Sequence, residues 1–440
     1  MSPREAVIDL DLFAPEEDLP PRPPASRRRF LASAVLAFAV LAPTAAAAPP
    51  PLELVAARTV WIVNGSSFRA IGDTLYVTRT RPEGEYRVLA YPLPDGPPRW
   101  STRVTWLSAT ARFDEIGDTV LVSVAGTGPT PGYTAALDRR TGAVRWEYRL
   151  GLVALDPGRG RVVLTGSVPD PRGFAPAEDI VAVSVATGAQ AWTYRRPAGC
   201  LADLPGTLEG STAALAVLCA DLTLVDLDTG AVRAKREIPM TSRIPGSVFG
   251  PGVVAFNDRV IVYSPAPFRS VLTSFSLVDL ATQWTTQMDL ANYGVADCGA
   301  RLCLFNTPEL MAVGRDDGRS VWRLRPAGEV SSLIGRYLVV EHAALHTLHV
   351  VDTVSGREVL DLVGWTAAPY QDGRPVFYRS DPDAHRMWVA VLAGEPAGLR
   401  LLGSVPELEG ETAGCVTGEG YLVCRTVKDA VQVWRVSLPG

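Results

Sequence analysis

One phrase recurs along the chain and restricts its fold more than any other feature. Ala136-Leu-Asp-Arg-Arg-Thr-Gly-Ala-Val-Arg-Trp146 returns as Ala182-Val-Ser-Val-Ala-Thr-Gly-Ala-Gln-Ala-Trp192. It returns as Leu224-Val-Asp-Leu-Asp-Thr-Gly-Ala-Val-Arg-Ala234 and as Ala312-Val-Gly-Arg-Asp-Asp-Gly-Arg-Ser-Val-Trp322. Weaker copies run from Ser274 to Trp284 and from Val350 to Leu360, and a degenerate one ends at Trp100. The phrase spells a β-hairpin. An apolar strand reaches Asp, whose carboxylate can bond the backbone two residues on. Gly then supplies a positive φ, and a second strand ends near Trp. A further hairpin precedes each copy, such as Ile116-Gly-Asp-Thr-Val-Leu-Val122, so each unit holds about four strands.

Trp100, Trp146, Trp192, Trp284 and Trp322 step by 46, 46, 92 and 38 residues, and Ala234 stands where the double step lacks a Trp. A four-stranded unit of about 40–45 residues repeated along the chain is the mark of a β-propeller. Periodic Trp residues are expected as core between blades rather than as ligands. No sustained helical periodicity follows residue 52, so the fold class is all-β. The surplus of turn formers, 39 Gly and 36 Pro in 440 residues, has the same cause. Eight units are complete, and Cys415–Cys424 with Ala430–Val436 supply three strands of a ninth. Leu52–Val63 is placed to supply the missing outer strand and latch the ring. Propellers typically have four to eight blades, so the expectation is eight, within a range of seven to nine, with one segment miscounted.

The phrase resembles the repeat of the pyrroloquinoline-quinone-type (PQQ-like) β-propellers over about residues 52–440. The resemblance implies a fold and two functions. Quinoprotein dehydrogenases of that family carry PQQ, a bound Ca²⁺, a catalytic Asp and often a disulfide of adjacent Cys residues. Its non-enzymatic branch includes the propeller subunit of the outer-membrane barrel-assembly machine, which docks partner proteins on one face. This chain has no Cys-Cys pair, its connections are short, and its acidic residues are largely used in hairpin turns. No cofactor-binding, catalytic or metal-binding residue is assigned on the resemblance.

The first fifty residues read as a targeting device. Residues 1–29 are polar and Pro-rich and are expected to form a disordered cytoplasmic tail. Arg27, Arg28 and Arg29 precede an apolar run, which places the tail inside and the rest of the chain outside. As a membrane helix, residues 30–48 would reach about 28 Å, just enough to span. As a cleavable signal, the run is broken by Pro43 and ends in Ala46, Ala47 and Ala48. Ser26-Arg27-Arg28-Arg29-Phe30-Leu31 also resembles the twin-arginine export motif. Anchor and cleaved signal both remain open, and residues 50–440 are the exported propeller.

Six Cys form three pairs near in sequence: Cys200 with Cys219, Cys298 with Cys303, and Cys415 with Cys424. Each brackets the first hairpin turn of its unit, and an even count in an exported chain favours disulfides over metal. Of four His, the clustered His342, His346 and His349 invite a metal reading. Side chains alternate along strands, so His346 and His349 are expected on opposite faces and a metal shared by the three is not expected. Asn64-Gly-Ser66 matches a short glycosylation acceptor pattern. A net charge of −5 argues against nucleic acid as a partner. The expected role is a protein-interaction or envelope-scaffold module without catalysis, with a PQQ-dependent dehydrogenase as the alternative. Its partner surface is sought in the Pro/Gly-rich loops Gly126–Gly132, Pro169–Glu178, Pro239–Pro251 and Ser380–His385.

Overall fold

The computed structural model describes residues 55–61, 67–80, 86–105, 111–126, 131–166, 178–205, 214–238, 252–266, 269–288, 294–306, 309–325, 329–342, 347–367, 376–381, 383, 386–393, 397–406, 415–418, 420–426 and 430–435. Residues 1–48, with both the tail and the apolar run, lie outside them, as does the Asn64 motif. Among the described residues no helix is long and apolar enough to cross a membrane. The one helical element there is a 3-10 turn at Pro157–Arg159.

The described strands form nine antiparallel sheets of four, one more than the expected eight. Blades 1 to 8 are consecutive in sequence: residues 68–104, 112–148, 151–196, 201–237, 252–288, 294–324, 329–363 and 366–406. Blade 9 joins the two ends of the chain. Cys415–Gly418, Tyr421–Thr426 and Ala430–Arg435 are completed by Val55–Trp61, with Val55 opposite Arg435 and Trp61 opposite Ala430. The partial ninth unit is therefore a real blade. Nine blades lie within the expected range of seven to nine.

The second and third strands of each blade carry the core. In blade 2, Thr119–Val124 and Tyr133–Asp138 are buried over their first five residues, which is why they read as continuous apolar runs. The fourth strand, Val144–Tyr148, is only partly covered, with Trp146 its one buried residue. Nine apolar clusters each join two successive blades. Tyr76, Trp100, Phe113 and Val122 link blades 1 and 2, and Val389, Leu402, Cys415 and Trp434 link blades 8 and 9. Val60, Leu75, Val423 and Val431 join blade 9 back to blade 1, so the ring closes.

Candidate functional site: two faces of the ring

Because every blade runs up and down, its turns separate onto two faces. The turn from first to second strand and the turn from third to fourth share one end of the blade, here called the turn face. Connections from second to third strand, and from each blade to the next, leave from the opposite end, the loop face.

The recurring phrase builds the turn face. In blade 2 the Asp138 carboxylate accepts the amides of Arg140 and Thr141 and the Thr141 hydroxyl. Gly142 then turns back at φ +72°, its amide donating to the Asp138 carbonyl. Trp100 of blade 1 lies against that glycine, where an added Cβ would come within 2.5 Å of the indole. Its Nε1 donates to the Arg139 carbonyl at 2.9 Å. Trp146 meets Gly188 and Val185, Trp192 meets Gly230 and Leu227, Trp284 meets Gly318 and Arg315, and Trp322 meets Gly356 and Thr353 in the same way. The five Trp residues thus tie five of the nine blades to the turn of the next.

Arginine consumes the turn-face carboxylates. Arg99 holds Asp73 at 2.7 Å, and Arg145 holds both Asp118 and Asp138 at 2.7 Å. Arg233 holds Asp226, Arg336 holds Asp352, and Arg315 bridges Asp258 and Asp297. Hydrogen bonds from Arg99 and from Arg233 bring the Asp73 and Asp226 carboxyls down to about 2. At Asp258 burial pushes upward, but bonds from Arg315 and Arg259 outweigh it and bring the carboxyl to about 2. Asp138, held by Arg145, and Asp352, held by Arg336, are likewise well below the ordinary range.

The four loops singled out in the sequence all belong to the loop face. They join Val124 to Tyr133, Thr165 to Glu178, Glu237 to Gly252 and Asp381 to Arg386, strand ends that share that side of the ring. Pro239–Pro251 lies wholly outside the described residues, and the other three loops lie partly outside them. Two third strands begin on that side with a largely buried glutamate, one of them at the root of the 165–178 loop. Glu178 opens the third strand of blade 3 and pairs at 2.8 Å with Arg196, which closes the fourth strand and is 1% exposed. Arg196 also donates to the Cys200 carbonyl. Glu309, equally buried, opens the third strand of blade 6 and meets Arg325 at 3.1 Å and Arg323 at 3.6 Å. Removing one partner of the buried Glu178–Arg196 pair strands a charge and costs roughly 3–5 kcal/mol, whereas Arg323 and Arg325 are exposed and only Glu309 of that group is buried. Sequence spacing does not reveal these pairs, because each is made across a strand hairpin.

The six cysteines form three disulfides: Cys200–Cys219, Cys298–Cys303 and Cys415–Cys424, with no free thiol. The first and third sit at the loop-face ends of blades 4 and 9. His342 ends the second strand of blade 7 and His349 lies within its third, while His346 is outside the described residues. His349 instead faces carboxylates. Its Nδ1 is 3.0 Å from Glu358 and 3.8 Å from Asp361, both across the hairpin.

A last titratable group lies between blades 4 and 5. The Asp203 carboxylate accepts the Ala255 amide across the seam at 2.6 Å, and no described cation offsets its burial. Burial pushes it up to about 6, against the pull of the Ala255 and Leu204 amides. It also raises the phenol of Tyr263, mainly a burial effect.

The family model for the outer membrane protein assembly factor BamB matches residues 84–323. The chain belongs to that family. No curated protein matches it. Among solved structures, BamB from Moraxella catarrhalis is 12% identical over 74% of this chain and 96% of its own, with a TM-score of 0.43. A quinohemoprotein alcohol dehydrogenase from Pseudomonas putida HK5 is 14% identical over 62% of this chain and 61% of its own, with a TM-score of 0.38. A europium-containing methanol dehydrogenase is 10% identical over 78% and 85%, with a TM-score of 0.43. An assembly factor and dehydrogenases thus stand side by side among the proteins this chain resembles.

Proposed function

We propose that this protein is a non-catalytic scaffold of the cell envelope that binds a partner protein through its loop face. The carrying observation is the convergence of four Pro/Gly-rich segments on one side of the ring. Disulfides, the buried Glu178–Arg196 pair and the buried Glu309 with its exposed Arg325 hold strand ends on that side. Such an arrangement presents several loops from a rigid base. Membership of the family of a membrane-protein assembly factor supports the same reading. The test is crosslinking and affinity capture with the full chain. Replacing residues 169–177 by a Gly-Ser linker is expected to abolish capture of the partner. Undiminished capture by that variant, and by equivalent variants of the other three loops, would place the binding surface elsewhere.

The alternative, a PQQ-dependent dehydrogenase, has less support in the residues. Ca²⁺ takes six to eight oxygen ligands, and the turn-face carboxylates described above are already committed to Arg. Among the described residues, one group of His and acidic side chains converges to ligating distance. It lies on outer strands of blade 7 and includes a nitrogen. The described residues therefore do not fit that cofactor with its Ca²⁺. Dye-linked alcohol oxidation by the full chain supplied with PQQ and Ca²⁺ would overturn the scaffold reading.

Export is part of the proposal. Three disulfides suit an oxidising compartment, and residues 30–48 would serve as anchor or cleaved signal. N-terminal sequencing of protein from cells decides between them, since chains that begin near residue 49 would sink the anchor.

A further inference from the structure

We propose that His349, Glu358 and Asp361 form a surface site for a divalent transition-metal ion, with Zn²⁺ the best fit. The three lie on the paired third and fourth strands of blade 7, Thr347–Asp352 and Glu358–Val363. Their ligand atoms are all within 4.8 Å of one another. Zn²⁺ binds His nitrogen and carboxylate oxygen at about 2.0–2.2 Å, so two donors of a tetrahedral site lie about 3.3–3.5 Å apart. The 3.0 and 3.8 Å separations from His349 Nδ1 bracket that value. A site of one imidazole and two carboxylates suits Zn²⁺ better than Ca²⁺ or Mg²⁺, which prefer all-oxygen shells.

The backbone explains why these side chains meet. His349 is directly opposite Asp361, and the register slips between Val350 and Val351, so that Val351 faces Glu358. In an unbroken ladder Glu358 and Asp361, three apart, would point to opposite faces. The bulge returns Glu358 to the face that His349 and Asp361 share. The ring repeats the same slip in other blades, which supplies internal controls. The three equivalent positions are Ala135, Val144 and Glu147 in blade 2, and Val181, Gln190 and Thr193 in blade 3. They are Thr223, Val232 and Lys235 in blade 4, Thr273, Thr282 and Thr285 in blade 5, and Met311, Ser320 and Arg323 in blade 6. The positions do converge there too: the Ser320 hydroxyl is 3.2 Å from the Met311 sulfur. Blade 7 alone among these six places two or more strong ligands there.

Two further features point to a cation. The second ring nitrogen of His349, Nε2, is 3.2 Å from the Thr347 hydroxyl. With Nδ1 as ligand, Nε2–H donates to Thr347, the outer-shell support that metal-bound imidazoles characteristically have. No described Arg or Lys pairs with Glu358 or Asp361, whereas turn-face carboxylates are held by Arg.

The test is calorimetric titration of the metal-stripped full chain with ZnCl₂, with visible absorption of the Co²⁺-loaded protein as a second readout. One saturable equivalent and a low-coordinate Co²⁺ spectrum are expected. His349→Ala should weaken binding more than about tenfold and remove the Co²⁺ band. Thr347→Val, which keeps all three ligands, should weaken it by about tenfold or more. Circular dichroism of each stripped variant establishes that it is folded. Absence of saturable binding to the unaltered chain, or binding unchanged in His349→Ala, would overturn the site. With every described Cys in a disulfide, thiolate does not compete.

Discussion

Five seams of the ring are made one way and a sixth the other way round. Between blades 1 and 2, 2 and 3, 3 and 4, 5 and 6, and 6 and 7, an indole from one blade rests on a glycine of the next. The seam between blades 4 and 5 inverts the sizes. Ala234 stands at the Trp position, and Leu280 occupies the glycine position at φ +58°, the one described non-glycine residue with positive φ. Leu280 is fully buried and packs in the same cluster as Ala234. Even the lost indole donor is replaced. Where Trp192 Nε1 bonds the Leu227 carbonyl, Arg233 approaches the equivalent Leu277 carbonyl at 3.4 Å, and Arg236 donates to Leu280 at 2.6 Å. The volume at a seam is conserved while the blade that supplies it is not. A leucine held at positive φ costs roughly 1–2 kcal/mol, so the inverted seam should be the more tolerant of change at its small residue and the less tolerant of an added ring.

The largest expected effect breaks a regular seam. Trp192→Ala should cost about 3–5 kcal/mol in urea denaturation of the full chain. A loss below about 1 kcal/mol would mean that the indole does not hold the blades together. Gly230→Ala comes next, at about 2–4 kcal/mol, because it combines positive φ with a Cβ 2.7 Å from Trp192. Made in the Trp192→Ala background it should cost only the backbone share, about 1–2 kcal/mol. Restoring the regular pattern at the inverted seam is the sharper test. Ala234→Trp alone overpacks against Leu280, and Leu280→Gly alone leaves a cavity. The two together should recover about 1–3 kcal/mol relative to the sum of the single changes. Strict additivity would show that 234 and 280 do not share one space.

The architecture was legible in the sequence because every regular seam prints both of its halves there. The Trp of one unit and the Gly of the next lie 34 to 42 residues apart, and Ala234 was visible as the gap in that series. What filled the gap was not visible. Leu280 reads as an ordinary apolar residue until the turn that raises its φ is set against blade 4. The same distance hid the functional candidates. Glu358 reaches His349 only through a register slip, and Arg196 reaches Glu178 only after the chain has crossed the blade. The loop face was half legible: its four segments stood out by composition, but their common side follows from the direction of the strands that bear them.

The smallest expected effect concerns the charge inside the inverted seam. Asp203 sits there with its carboxyl pushed up to about 6 by burial, from an ordinary value of 3.8. The folded state therefore holds this proton more tightly than the unfolded chain. Its contribution is fully present below about pH 4 and is lost as pH rises through about 6, at most about 3 kcal/mol. The Arg-held Asp73, Asp226 and Asp258 act with the opposite sign, but in a lower window. Their stabilisation is present above the ordinary carboxylate range and is lost as pH falls towards about 2. The one described titratable neighbour of Asp203 with a resolved effect is Tyr263, whose phenol stays protonated throughout. Asp203→Asn cannot ionise and keeps an acceptor for the Ala255 amide. Urea stability of the unaltered chain should fall between pH 4 and 7, and that fall should shrink in Asp203→Asn. If both proteins change by the same amount, Asp203 pays no penalty for its burial, and the inverted seam differs from the others in shape alone.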